Sequence, residues 1–110
     1  MKDTNGKNRM DLVPSESLEE IAKIFTFGAE KYAVNDWMQG IDYSSLIGAY
    51  KRHAAAFERN ENVDPESGHY HLAHAATNMM MLLFYQVHQE IYEHNDDRVD
   101  RTLLDLNQTK

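Results

Sequence analysis

The sequence predicts an all-α protein: a small helical bundle of three main helices plus a short C-terminal helix. Three observations carry this. Apolar residues recur at steps of three and four along three long segments, no segment alternates with the period of two that a strand requires, and the only prolines, Pro14 and Pro65, each precede a helical pattern. At 110 residues and 42% hydrophobic content, the chain has the makings of one folded domain over 1–110. Residues 1–13 are expected as an N-terminal arm and 95–110 as a tail helix.

The first helix is expected from a cap at Ser15 or Ser17 to about Tyr32, burying Leu18, Ile21, Ala22, Phe25 and Ala29. Glu16, Glu19 and Glu20 suit its positive N-terminal end. Residues 33–42 carry Asn, Asp, Gly and the lone tryptophan and read as a loop. A second helix, capped by Ser44 or Ser45, should run to about Glu58, with Leu46, Ala49, Tyr50, His53, Ala54 and Phe57 on one side. Asp64-Pro65-Glu66 has the form of a helix start, with Asp as cap and Pro at the first position, and Gly68 is able to delay it by a turn. That third helix should reach about His94 and bury Leu72, Ala75, Ala76, Met79, Leu82 and Leu83. A tail helix, Asp97 to Leu106, is too short to stand alone and should dock on the body or on another copy. The wide apolar face of the third helix, rich in methionine, points to a homo-oligomer.

Composition narrows the function. With no cysteine, disulfides, thiolate metal sites and cysteine nucleophiles are excluded, which suits a reducing cytoplasm. No apolar run nears the ~20 residues needed to span a bilayer, and the N-terminus lacks the apolar centre of a signal peptide. A net charge of −7 disfavours nucleic acid as a partner. An anionic small ligand would need a local cluster of Lys and Arg, or a bound cation such as Mg²⁺ or Mn²⁺.

The stretch from Asp64 to Asn78, DPESGHYHLAHAATN, concentrates the chemistry, with two carboxylates, three histidines and an asparagine. On a helix, positions 71, 74, 78, 81, 85 and 88 form one stripe beside the leucine stripe, reading His, His, Asn, Met, Tyr, His. Polar groups on a half-buried seam need partners. A metal ion or an anionic ligand would serve, since imidazole binds several divalent metals; mutual hydrogen bonding and nearby carboxylates are the alternative. Asp64 and Glu66 lie just upstream, and His53 faces the seam from the second helix. Beside it, Arg52 suits phosphate oxygens, or is a solvated cation. Lys31, Tyr32, Asn35 and Trp37 bring a cation, two aromatics and an amide together. That set is able to stack a nucleobase and meet a phosphate, or to plug the end of the bundle. No GxxxxGK loop, HExxH pair or adjacent His-Asp pair is present.

The run GKNRMDLVPSESLEEIAKIFTFGAEKY, then N-x-W-x-x-G, then RH, then DPESGHYHLAHAATN resembles the phage and prophage dATP/dGTP diphosphohydrolase family of the N-terminal type, which is grouped with MazG-like all-α nucleoside triphosphate pyrophosphatases. The resemblance covers about Gly6 to Leu83. It implies an oligomeric helical bundle and metal-dependent hydrolysis of a deoxynucleoside triphosphate, a purine one, to the monophosphate and pyrophosphate. Mg²⁺ or Mn²⁺ is the expected cofactor, with Co²⁺ or Zn²⁺ as alternatives. Lys31, Tyr32, Trp37, Arg52, His53, Asp64, Glu66, Gly68, His71, His74 and Asn78 sit on the family pattern. Either Asn35 or Asp36 fills the position before the tryptophan. The implied metal ligands are Asp64, Glu66, His71 and His74, and the implied catalytic groups are Glu66, Glu61 and His53. Lys31, Tyr32, Asn35, Trp37, Arg52 and Asn78 are expected to hold the nucleotide. MazG-like enzymes usually carry acids in ExxE and ExxD patterns on two helices, whereas this chain has Arg52-His53 and then His71, His74 and Asn78. A protein that binds and sequesters a nucleotide without hydrolysis is the second expectation.

Overall fold

The computed structural model describes residues 6–100 of the chain. They form an all-α bundle: α1 (Ser15–Lys31), α2 (Tyr43–Glu58), α3 (His71–Val87) and a single turn, α4 (Gln89–Tyr92). Short 3-10 turns cover Met10–Leu12, Asp36–Gln39 and Glu93–Asn95. α3 is the central element and packs on both α1 and α2. No helix among the described residues is long and apolar enough to cross a membrane.

The centre of the core is aromatic. Tyr43, Leu46, Tyr85 and Tyr92 are buried together, with Trp37, Ile41, Ile47, Met81, Leu82 and Phe84 packed around them. Tyr85 is fully buried. Its hydroxyl donates to the Trp37 carbonyl at 2.5 Å and accepts the Ile41 amide at 3.1 Å. Tyr92 donates to the Met38 carbonyl at 2.5 Å. Two tyrosines from the C-terminal half therefore satisfy the backbone of the loop between α1 and α2 and hold it against the bundle.

Four expectations need correction. The third helix starts at His71, not near Asp64. Residues 62–70 instead form a tight turn: Val63 pairs with Tyr70, the Asp64 amide bonds the His69 carbonyl at 2.8 Å, and Gly68 adopts φ 78°. The Asp64 carboxylate collects the Glu66 amide and the Ser67 hydroxyl, the local bonding by which Asp competes with helix. At the other end α3 breaks at His88, and Glu93–His94 lie in a 3-10 turn.

The second correction concerns the face that α3 buries. Leu72, Met79 and Leu83, expected in the core, are 47%, 49% and 59% exposed, whereas His71, Ala73, Ala75, Thr77 and Tyr85 are buried. Small residues let α1 and α2 approach α3 closely, which draws His71 and Thr77 inward and leaves Leu72, Met79 and Leu83 outside, while Ala75 is buried and Leu82 packs on the core as expected. On α1, likewise, Leu18 is 45% exposed and Ile24 is the buried residue.

The third concerns caps. Neither Ser15 nor Ser17 makes a side-chain capping bond to α1, which follows Pro14 directly. For α2, Ser44 acts as a recipient: its amide and hydroxyl donate to the Asp97 carboxylate at 2.8 and 2.5 Å. Finally, Asp97–Asp100 are not helical, and the remainder of the expected tail helix, 101–106, lies outside the described residues.

Candidate functional site

Two cavities open side by side where α1, α2, α3 and the 62–70 turn meet. The larger, of about 520 Å³, is mainly apolar and aromatic, with walls from Ile24, Phe25, Trp37, Ile41, Thr77 and Met81. Lys31, Tyr32, Asn35, Asp36, His74 and Asn78 also line it. The smaller, of about 360 Å³, is polar and is lined by Arg52, His53, Asp64, Glu66, Ser67 and His71. Phe27, Lys31 and His74 line both. Every residue expected to hold metal, hold the nucleotide or act in catalysis lines one of the two, except Glu61, which contacts the cavity-lining His71.

In the larger cavity Trp37 is half-buried. Its ring packs on Phe84 at 5.0 Å, Phe25 at 5.7 Å and Tyr85 at 6.1 Å, so one role is to close the end of the core. Tyr32, at the end of α1, is 68% exposed. The Lys31 ammonium lies 5.4 Å from its ring centroid. Asn35 takes the left-handed conformation, φ 59°, which asparagine tolerates. Both Asn35 and Asp36 face this cavity, so the geometry keeps both. Asn78 donates its amide to the His74 carbonyl at 2.8 Å, which leaves its side-chain oxygen as the acceptor.

The polar cavity is organised by histidines. His53 and His74 stack with centroids 4.4 Å apart and planes 9° from parallel. His53 Nδ1 lies 2.9 Å from His71 Nδ1, and His71 Nε2 lies 2.7 Å from Glu61 Oε1. His74 Nε2 is 2.7 Å from Ser67 Oγ and 3.6 Å from Asp64 Oδ2. Burial pushes the pKa of His53 and His74 down, and the neighbouring imidazoles add to it: His71 for His53, and His53 for His74. Burial alone would raise Asp64, but the Glu66 amide, the Ser67 hydroxyl and the two histidines outweigh it and hold the carboxyl below its usual value.

Both ring nitrogens of His71 are engaged, as is Nε2 of His74, so the expected four-residue ligand set does not converge on one point. Among the described residues no group of three His, Asp or Glu side chains could hold a metal ion. Lys31 and Arg52 have no carboxylate within ion-pair distance among the described residues, although both stand at the polar cavity. Sequence reasoning missed Ser67, which links Asp64 to His74, and Phe27, which lies between the cavities. Ser67 had a signal, since a serine three residues after an aspartate commonly closes a turn; Phe27 had none.

The fold and the paired cavities define the class: an all-α bundle protein with a composite cleft, aromatic on one side and cationic and imidazole-rich on the other. The chain belongs to the family described as dATP/dGTP diphosphohydrolase, N-terminal, which matches residues 1–98. A protein of Salmonella phage PMBT28 named dATP/dGTP diphosphohydrolase is 33% identical over 84 residues, covering 76% of this chain and 29% of that protein. The chain thus spans less than a third of that relative's length. No solved structure matches the chain.

Proposed function

We propose that this domain binds a deoxynucleoside triphosphate across the two cavities and hydrolyses it to the monophosphate and pyrophosphate, with a purine nucleotide as substrate. One observation carries the reading. In a chain of net charge −7, Lys31 and Arg52 have no carboxylate within ion-pair distance among the described residues and stand at a polar cavity that shares Lys31 with an aromatic one. Two cations that form no ion pair among the described residues suit a polyphosphate in an acidic protein. The adjoining cavity has the size range of small-molecule sites. In this reading Tyr32 and the exposed edge of Trp37 hold the base, and Asn35 or Asp36 and the Asn78 oxygen meet its polar edge. Lys31 and Arg52 clamp the phosphates. The activity for which the PMBT28 relative is named supports a purine triphosphate as substrate.

The donor set does not suit a resident Co²⁺ or Zn²⁺ held by three side chains. It suits Mg²⁺ or Mn²⁺ shared with the phosphates, which needs only one or two carboxylates; Asp64 and Glu66 supply them. When bound, such an ion neutralises phosphate charge and acidifies a coordinated water. His53 and Glu66 face the same cavity as candidate proton acceptors. The reading places the reaction in the cytoplasm, with neither nucleic acid nor membrane as a partner. It also includes a homo-oligomer, because α3 has no Asp, Glu, Lys or Arg and turns Leu72, Met79, Leu83 and Val87 outward.

A second reading, binding without hydrolysis, is favoured by the lack of a three-donor metal cluster among the described residues. Incubation of the purified protein with each dNTP and Mg²⁺, Mn²⁺ or Co²⁺ separates the two. Turnover of dATP or dGTP is expected. Tight binding with the nucleotide recovered intact favours the second reading, and neither binding nor turnover removes both.

A further inference from the structure

Three residues line both cavities: Phe27 and Lys31, one turn apart on α1, and His74 on α3. They form the neck between the aromatic cavity and the polar one. In a nucleotide the sugar joins the base to the α-phosphate. A nucleotide with its base in one cavity and its phosphates in the other therefore has its pentose in this neck. We propose that Phe27 is a specificity residue that packs on the pentose and selects 2′-deoxyribose over ribose. The inference rests on the nucleotide reading above and holds whether or not the bound nucleotide is hydrolysed.

The neck is poor in groups that could take up an extra hydroxyl. Of the three residues, Phe27 alone has no polar side-chain atom. Lys31 is assigned to the phosphates in the nucleotide reading. His74 has a ring face stacked on His53, and its Nε2 lies 2.7 Å from Ser67 Oγ. A 2′-hydroxyl set against the Phe27 ring would give up water and gain no partner, whereas the 2′-methylene of deoxyribose buries apolar surface there. Such a wall has a bounded effect: an apolar pocket rejects an added hydroxyl by about a hundredfold at most.

Phe27 is also placed to act as a wall rather than as core. The buried residue of α1 is Ile24. Phe27 is 37% exposed, so its ring has surface left for a ligand to cover. The ring meets His69 of the 62–70 turn edge to face, with centroids 6.0 Å apart and planes 71° from parallel. That contact joins α1 to the turn that carries Asp64 and Glu66, and it fixes the ring beside the polar cavity.

The test is calorimetric titration with paired non-hydrolysable analogues in the presence of Mg²⁺: dATP against ATP, and dGTP against GTP. Within a pair the base and phosphates are the same, so the ratio of Kd values isolates the 2′-hydroxyl. A change in the folded fraction does not move that ratio. The unsubstituted protein should bind the deoxy member about 10- to 100-fold more tightly. Phe27→Leu keeps an apolar wall and should hold the ratio to within about threefold of the unsubstituted value. Phe27→Ser admits water and Phe27→Asn supplies a donor and an acceptor, so each should bring the ratio to within about threefold of unity. Equal affinities for the two members of each pair in the unsubstituted protein would overturn the proposal. So would a deoxy preference that both Phe27→Ser and Phe27→Asn leave intact. Either result, in a protein that binds nucleotide, counts against this inference alone. Failure to bind any of the four analogues removes the nucleotide reading and this inference together.

Discussion

His53 of α2 and His74 of α3 stack face to face, with centroids 4.4 Å apart and planes 9° from parallel. The contact ties the two helices at the floor of the polar cavity and sets two imidazoles where protonating one disfavours protonating the other. Burial acts in the same direction.

A pH dependence of stability follows. Both histidines have folded-state pKa values below the unfolded value near 6.5. Their neutral forms are favoured by folding, so the stabilisation is complete above about pH 6.5 and is lost as pH falls through that value to the depressed pKa. His53 faces His71, Asp64, Arg52 and Glu66, and His74 faces His53, Asp64, His69 and His71. Denaturant midpoints measured from pH 8 to pH 5 should fall on the acid side, and a His53→Gln, His74→Gln double variant should flatten that fall.

Lys31 and Arg52, which form no ion pair among the described residues, give a binding prediction. Lys31→Ala and Arg52→Ala should each weaken a non-hydrolysable dNTP analogue by roughly 1.5–3 kcal/mol, about ten- to a hundredfold in Kd. The melting temperature of the nucleotide-free protein should hardly move, because neither cation forms a native ion pair among the described residues. Calorimetric titration provides the check, and a loss that shrinks at high salt is expected.

Tyr85 should matter to both fold and site. Its hydroxyl satisfies the Trp37 carbonyl and the Ile41 amide in the core. Tyr85→Phe leaves both without that partner, at a cost of about 1–3 kcal/mol. Chemical denaturation should register this loss. Nucleotide affinity should fall as well, since the released segment carries Asn35 and Trp37.

The outward face of α3 predicts self-association. Leu83→Glu, on a residue 59% exposed, should reduce the mass measured by light scattering without lowering helix content. An unsubstituted protein that is monomeric at all concentrations would remove the homo-oligomer from the reading.

How much of this was legible in the sequence depended on how local the cause was. Periodicity located α1 to within a residue or two and predicted that His71, His74 and Asn78 would share a stripe. The gathering of Lys31, Arg52, His53 and the Asp64–Asn78 stretch at one place was also legible, because their residue types suit the same ligand. Periodicity did not distinguish which of two adjacent stripes on α3 faces inward. That choice was made by close packing against α1 and α2, which accepts Ala73, Ala75 and Thr77 and excludes Leu72 and Leu83. Asp64-Pro65 read as a helix start because its cap and proline chemistry is local, whereas the winning turn depends on Gly68 at positive φ and a pairing with Tyr70. Asp97 at the start of α2 and Tyr85 beneath Trp37 are contacts over long sequence separations and left no local trace. The contacts from Glu61 to His71 to His53 could not be read from spacing, since the three residues come from three different segments.

The most direct test of the central claim is hydrolysis of dATP and dGTP in ¹⁸O-labelled water with Mg²⁺ or Mn²⁺, followed by phosphorus NMR and mass spectrometry of the products. The account predicts the deoxynucleoside monophosphate carrying the label and unlabelled pyrophosphate. Diphosphate with inorganic phosphate, label in the pyrophosphate, or no turnover of either nucleotide would contradict it.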